Sequence, residues 1–342
     1  MQATDSCRRP FRPTLALLAA ATCWAGSAQA QTSTEIYGVI DMDVGSFRDS
    51  GGSRSSQVAS GKLQTSYLGF KGTEDLGGGL NAFFSLESHL RIDTGEPGRS
   101  NTDPFFSRNA YVGLQSRTVG AVILGRFNTP FWLSAVATNP FGSSTGFSPG
   151  LRTLFGATGK TGGDGVWNNS IVYQSPRIAG ANLLVQHQMK ESGRGGNTGA
   201  NVNYTAGPLV LTAAAQSVEV PYVVKGKETA GLLGAAYNFG LLRAFGQYAR
   251  VKEDDTGTAT ANTRDKSWQL GASIPVGPVA AVLASYAQVR TSGALNGNRR
   301  FLTLGYDYRL SKRTELYTIL MTDKNNSQSR GNTYSVGVRH AF

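Results

Sequence analysis

The sequence predicts an all-β protein, a sixteen-stranded antiparallel transmembrane β-barrel. Three observations carry that expectation. Apolar and polar residues alternate over runs of about ten residues, the length of a membrane-spanning strand. Tight glycine or proline turns and longer polar loops follow one another along the chain. The composition is that of a large, weakly charged, aromatic-rich chain: of 342 residues, 43 are glycine, 13 tyrosine and 16 phenylalanine, and 16% are charged. Low charge and high aromatic content exclude disorder. The glycines follow no three-residue period, which excludes a collagen-like chain. Two cysteines exclude a disulfide scaffold. A mean hydropathy of −0.22 argues against a bundle of apolar helices.

The first element is a targeting segment. Arg8, Arg9 and Arg12 form a positive head, Leu15 to Ala21 reads LALLAAA, and Ala28-Gln29-Ala30 is a small-x-small cleavage site. Together they read as a secretory signal peptide over residues 1–30, too short in its apolar core to span a bilayer. Cleavage leaves residues 31–342 as one barrel domain. It removes three arginines and Asp5, so the charge falls from +11 to +9, and it removes Cys7 and Cys23, leaving no thiol.

The strands follow in order. At the start, Ile36, Ile40, Met42 and Val44 share one parity, while Glu35, Asp41 and Asp43 share the other. Strands are expected to begin near residues 35, 63, 80, 106, 119, 169, 181, 200, 209, 229, 241, 266, 279, 300, 314 and 332. Short turns launch every second one: Gly77-Gly78-Gly79, Gly180, Gly207-Pro208, Asn238-Phe239-Gly240, Gly277-Pro278 and Ser311-Lys312-Arg313. The opposite connections are polar and longer, over residues 48–61, 92–104, 191–199, 221–228, 252–265, 291–298 and 323–331. Residues 267–289 carry no charge, but Pro275, Gly277 and Pro278 in their middle favour two strands around a turn over a helix. Residues 127–151 show little alternation and contain Pro130, Pro140 and Pro149, and a connection of that length in a regular barrel is usually functional.

Sixteen strands in one meander exceed a soluble sandwich. A closed cylinder leaves no edge and no unsatisfied backbone group in lipid. Its lumen is too wide for side chains to fill, so the polar parity lines water. The last strand alternates through Tyr334, Val336, Val338 and His340 to a terminal Phe342.

These segments resemble the trimeric general-diffusion porins of Gram-negative bacteria, of the β-proteobacterial type. The matching runs are IYGVID at 36–41, LGFKGTEDLGGGL at 68–80, AYVGL at 110–114, LGR at 124–126, NSIVYQSP at 169–176 and YSVGVRHAF at 334–342. The resemblance implies a homotrimer in the outer membrane, exchanging small hydrophilic solutes and ions. It implies a third loop, about residues 127–168, folded inward to narrow the channel. It also implies a shorter loop, about 92–104, that reaches toward a neighbouring subunit. Tyr334, Val338, His340 and Phe342 resemble the signal read by the barrel assembly machinery.

In that family arginines on one wall face carboxylates on the inward loop. Here Tyr67 stands where an arginine usually precedes the LGFKG run, Val166, Trp167 and Asn168 fill another arginine's stretch, and Asn139-Pro140-Phe141-Gly142 replaces an acidic segment. The loop's charges come late, at Arg152, Lys160 and Asp164. The candidate pore-lining residues are therefore Arg108, Arg126, Lys71, Glu35, Asp41, Asp43, Glu87, Tyr67, Arg152 and Asp164. Alternation puts Tyr67, Gly69, Lys71, Glu87 and His89 inside. Arg108 has the parity of Ala110, Val112 and Leu114, so it points inward only if Tyr111 faces outward or a bulge intervenes. The +9 charge and the missing loop carboxylates predict a weakly anion-preferring or nearly unselective pore. Loop lysines and arginines are candidates for contact with anionic lipopolysaccharide. The scattered basic residues carry no nucleic-acid motif.

No cofactor is implied. No metal spacing, GxSxG or P-loop occurs, and of His89, His187 and His340 only His89, near Glu87, offers even a weak catalytic pair. A substrate-specific channel for a sugar or an anionic solute is the second reading, kept open by Tyr67, Trp167 and Phe141.

Overall fold

A computed structural model describes residues 33–156, 165–191, 196–219, 226–254, 262–326 and 328–342. The expected signal peptide and Asp164 lie outside the described residues.

The described residues form sixteen antiparallel barrel strands, each paired with its sequence neighbours. They are β1 (Ser33–Phe47), β2 in two collinear parts (Ser55–Ser60 and Tyr67–Gly77), β3 (Leu80–Arg91), β4 (Asn109–Ser116), β5 (Gly120–Asn128), β6 (Val166–Gln174), β7 (Ala181–Gln188) and β8 (Thr198–Ala206). They continue through β9 (Leu209–Glu219), β10 (Lys227–Asn238), β11 (Arg243–Asp254), β12 (Thr263–Val276), β13 (Ala280–Gly293), β14 (Gly297–Arg309), β15 (Thr314–Asn325) and β16 (Gly331–Ala341). β16 pairs with β1, Ile40 opposite His340 and Val44 opposite Val336, so the sheet closes on itself. Phe342 adds two backbone bonds to Gly38, and its ring occupies the space that a Cβ on Gly38 would take. Closure removes the free edge that would otherwise template aggregation.

The alternation sorts side chains as expected. Ile36, Val112, Leu124, Leu233, Leu270 and Val336 are exposed on the outside. In water such a continuous apolar surface would be a liability; in a bilayer it is the solvated face. Gly77, Gly78 and Gly79 all have positive φ, and that explains the glycine run at the β2–β3 turn.

Three sequence expectations need correction. Residues 48–61 are not all loop: Ser55–Ser60 pairs with β1, and the break in β2 falls at residues 61–66 instead. The expected long connection at 291–298 shrinks to three residues between β13 and β14. The segment after β5 is not structureless. Thr129 caps the helix α1 (Pro130–Ala137), accepting from the Trp132 N–H, with Pro130 in the first turn where its missing N–H costs nothing. A short helix α2 (Pro149–Leu151) and a wide turn over Arg152–Gly156 follow. The Thr-Pro pair was a legible start signal. The helix itself escaped notice because it is apolar all round rather than amphipathic.

Candidate functional site: the barrel interior

The long connection lies against the inner faces of the far strands. Asn201 on β8 donates to the Pro130 carbonyl and to Ser134, and Thr212 on β9 donates to Ser134. Gln247 on β11 donates to the Ala135 carbonyl and to Thr138. Thr153 meets Ser267 on β12 at 2.7 Å. Phe131, Ala135, Leu151 and Leu154 bury against Ala214, Leu232 and Val251. Phe141 and Phe147 bury against Leu283, Tyr317 and Ile319. Glycines on these inner faces make the room. A Cβ on Gly234 would stand 2.3 Å from Thr138 Oγ1, one on Gly271 2.8 Å from Pro140, and one on Gly305 3.0 Å from Phe141. The segment thus fills the side of the interior lined by β8–β15. Its far end is tied to residues 61–66, where Ser144 Oγ and Gly146 N–H both donate to the Lys62 carbonyl.

What stays open is a passage between this segment and the wall of β1–β5. Its cavity is lined by Gln64, Thr65, His89, Arg99, Arg108, Asn128, Trp132, Ser143 and Thr145, with Phe155 and Val166 behind. Among the described residues no carboxylate lines it.

One cluster anchors the wall. Arg108 lies over the Tyr67 ring at 4.1 Å and pairs with Glu87 at 2.5 Å. Asn109 also donates to Glu87, and Tyr37 donates to its other oxygen at 2.6 Å. Glu87 is therefore enclosed by three donors, while Arg108 keeps part of its guanidinium toward the passage. Consecutive residues Arg108 and Asn109 both reach Glu87, which requires a local bulge just before β4. Of the two arrangements open to Arg108, the bulge is the one found. Tyr111 faces inward, edge-on to Phe83 and Phe127, and not outward.

The other candidates scatter. Asp41 and Asp43 have the inner parity but are fully covered. Asp41 accepts from Tyr317 at 2.7 Å and from the Leu63 and Gln64 N–H groups, so it holds the 61–66 excursion in place. Asp43 accepts from Ser335. Neither presents charge to the passage. Glu35 and Lys71 pair at 3.1 Å toward the short-turn end of the barrel, both well exposed, and such a pair contributes little. Arg126 corrects the expectation outright: it takes the parity of Val122 and Leu124, which are exposed outside, and is tied to the Ser107 carbonyl and Asn168. Strict alternation through residues 122–126 would have placed it there. Arg152 pairs with Asp49 at 2.7 Å and lies over Phe301.

Sequence reasoning missed Arg99, which reaches the passage from the 92–104 loop. Burial alone would raise the carboxyl of Asp103, but the backbone N–H and guanidinium of Arg99 outweigh it and hold the group below the usual carboxylate range. The only sequence signal for Arg99 was a basic residue in a loop assigned elsewhere. Trp132 was missed with the helix that carries it. Of the aromatics proposed for solute stacking, Trp167 and Phe141 are buried and Tyr67 is covered by Arg108.

A closed barrel with an apolar outer band and a polar, partly plugged interior defines an outer-membrane channel. Residues 14–328 match the Gram-negative porin family, and the chain belongs to it. Outer membrane porin protein 32 of Delftia acidovorans is 34% identical over 360 residues, covering 96% of this chain and 98% of that protein. An outer membrane porin protein of Bordetella pertussis is 27% identical over 390 residues, covering 95% and 99%. Among solved structures, an anion-selective porin from Comamonas acidovorans superimposes with a TM-score of 0.80 at 30% identity, covering 91% of this chain and all of that one. The chain is accordingly an outer-membrane porin of the β-proteobacterial type.

Proposed function

We propose that this porin is a passive, weakly anion-preferring channel for small hydrophilic solutes and ions, with no catalytic role. One observation carries the reading: among the described residues the passage is lined by Arg99, Arg108 and His89 and by no carboxylate, since Glu87 lies covered in the wall behind Arg108 and Asp41 and Asp43 are buried. A narrow, low-dielectric passage focuses such a field and raises the local anion concentration. The anion selectivity of the Comamonas relative supports the same sign. Reversal potentials in a salt gradient test it; a clear cation preference would overturn it.

The finer assembly belongs to the same proposal. Residues 1–30 direct export, Phe342 and the outward residues before it are read by the barrel assembly machinery, the working form is a homotrimer, and lipopolysaccharide is a partner. Cross-linking in the membrane reads the trimer. The substrate-specific alternative loses support with the burial of Trp167 and Phe141. Trp132 and Phe155, packed edge-on at the passage, are the described aromatics that keep it testable. A solute that blocks the current at low concentration would favour it.

A further inference from the structure

The outer wall carries a concentration of positive charge that conduction does not use. Even-numbered side chains on β11–β14 point outward, as the exposed Tyr248, Trp268, Leu270 and Leu302 demonstrate. At the long-loop end, that face presents Arg250 and Lys252 on β11, Arg264 and Lys266 on β12, Arg290 on β13 and Arg300 on β14, all exposed. Ladder register sets them side by side. Arg250 stands opposite Lys266, Lys266 opposite Arg290, and Lys252 opposite Arg264. Strands are about 4.8 Å apart, so the central row of three cations spans only ~10 Å.

Directly opposed like charges destabilise a sheet. Among the described residues of these four strands, Asp254 is the one acidic side chain on this face, and it is paired with Lys252 at 2.6 Å. Arg250 is held by the Tyr248 hydroxyl at 2.7 Å. Lys266, Arg290 and Arg300 form no ion pair among the described residues. A row of this kind persists at a cost unless an anion bridges it.

Its height on the barrel says which anion. One ladder step toward the barrel middle, Tyr248 stands opposite Trp268, and one further, Leu270 stands opposite Tyr286. The Trp268 and Tyr286 rings are 5.2 Å apart. Such aromatics mark the boundary between the apolar band and the headgroups. The cations therefore sit at headgroup level, on the side of the long loops, which in these barrels face outward from the cell.

We propose that this face is a binding site for the phosphorylated headgroup of an outer-leaflet glycolipid, a lipopolysaccharide. Arg250, Lys266 and Arg290 hold the phosphates, Arg264 and Arg300 flank them, and Trp268 and Tyr286 seat the lipid's apolar side. This assigns residues to the lipid partner named above and rests on that reading's placement of the barrel in the outer membrane. It does not depend on the channel's selectivity.

The test is binding of purified lipopolysaccharide to the refolded full chain in detergent, followed by Trp268 emission and by co-purification. K266Q/R290Q/R300Q is compared with the unaltered protein, with the charge-retaining K266R/R290K, and with K312Q/R313Q at the opposite end. Neutralising one headgroup contact at a membrane surface weakens binding by roughly fivefold, so the triple variant should bind on the order of a hundredfold more weakly. The charge-retaining and opposite-end variants should bind normally, and single-channel conductance should be unchanged in all. Chemically dephosphorylated lipopolysaccharide should bind the unaltered protein as weakly as native lipid binds the triple variant. Equal binding by triple variant and unaltered protein, or equal binding of the dephosphorylated lipid, overturns the proposal. Should the triple variant fail to fold, K266Q and R290Q singly give the same reading. Changed conductance with normal lipid binding would instead count against both the site and the separation of the two functions.

Discussion

Replacing Arg108 by Gln is the sharpest test of how the interior works. Arg108 touches both the wall and the passage: it is stacked on Tyr67, paired with Glu87, and partly open to solvent where Glu87 is not. Removing it withdraws one positive charge from the lining of the passage and leaves Glu87 with only Asn109 and Tyr37 as donors. An ion about 6 Å from that guanidinium loses or gains ~0.7 kcal/mol at the dielectric of water and ~1.4 kcal/mol at half that value. Anion and cation feel the change with opposite sign, so the permeability ratio moves by twice as much, from about tenfold upward. At about 0.1 M salt the screening length is comparable to this distance, so roughly tenfold should survive, whereas at about 1 M the effect should nearly vanish. Reversal potentials of R108Q in a KCl gradient at both salt levels read this directly. E87Q should shift the ratio the other way, and R108Q/E87Q should return toward the unaltered value. An unchanged ratio in R108Q at low salt, or a shift toward anions, would refute the assignment of the passage's field to this pair.

Three further outcomes are expected. Tyr317→Phe removes the hydroxyl that Asp41 accepts and should cost about 1.5–3 kcal/mol, the range for a bond to a charged acceptor; thermal unfolding in detergent checks it, and an unshifted midpoint would deny Asp41 its anchoring role. Gly234→Val drives a side chain into Thr138 and should lift α1 from the wall, so single-channel conductance should rise; a channel of unaltered conductance would mean that α1 does not limit the passage. Deleting Phe342 removes two closing backbone bonds and the ring against Gly38; the amount of heat-resistant barrel in outer-membrane fractions should fall, and full recovery would show that the terminal residue is dispensable.

The barrel was legible because its physics is local. Each strand must show one face to lipid and the other to the interior, and a period of two records that along the strands from β1 to β16. Turn glycines such as Gly77–Gly79 mark the ends for a reason equally local, the positive φ that they adopt. Boundaries failed where the ladder is interrupted by distant partners, as at residues 61–66, whose path is set by Asp41 and by the loop segment at Ser144.

The sequence by itself determined the fold class, the facing of most strand residues and the absence of charge between residues 127 and 151. Parity tells which way a side chain points, and only the tertiary structure decided what it meets there. Asp41, Asp43 and Glu87 all point inward, yet they are covered and bound by Tyr317, Ser335 and Arg108, residues 21 to 292 positions away in the chain. Arg99 reaches the passage from a loop, and Arg126 faces away from it. Whether a charge acts on a passing ion depends on whether a partner has already met and covered it, and that depends on rotamers, on a local bulge before β4 and on reach across the ladder, as from Tyr317 on β15 to Asp41 on β1, none of which the alternation records.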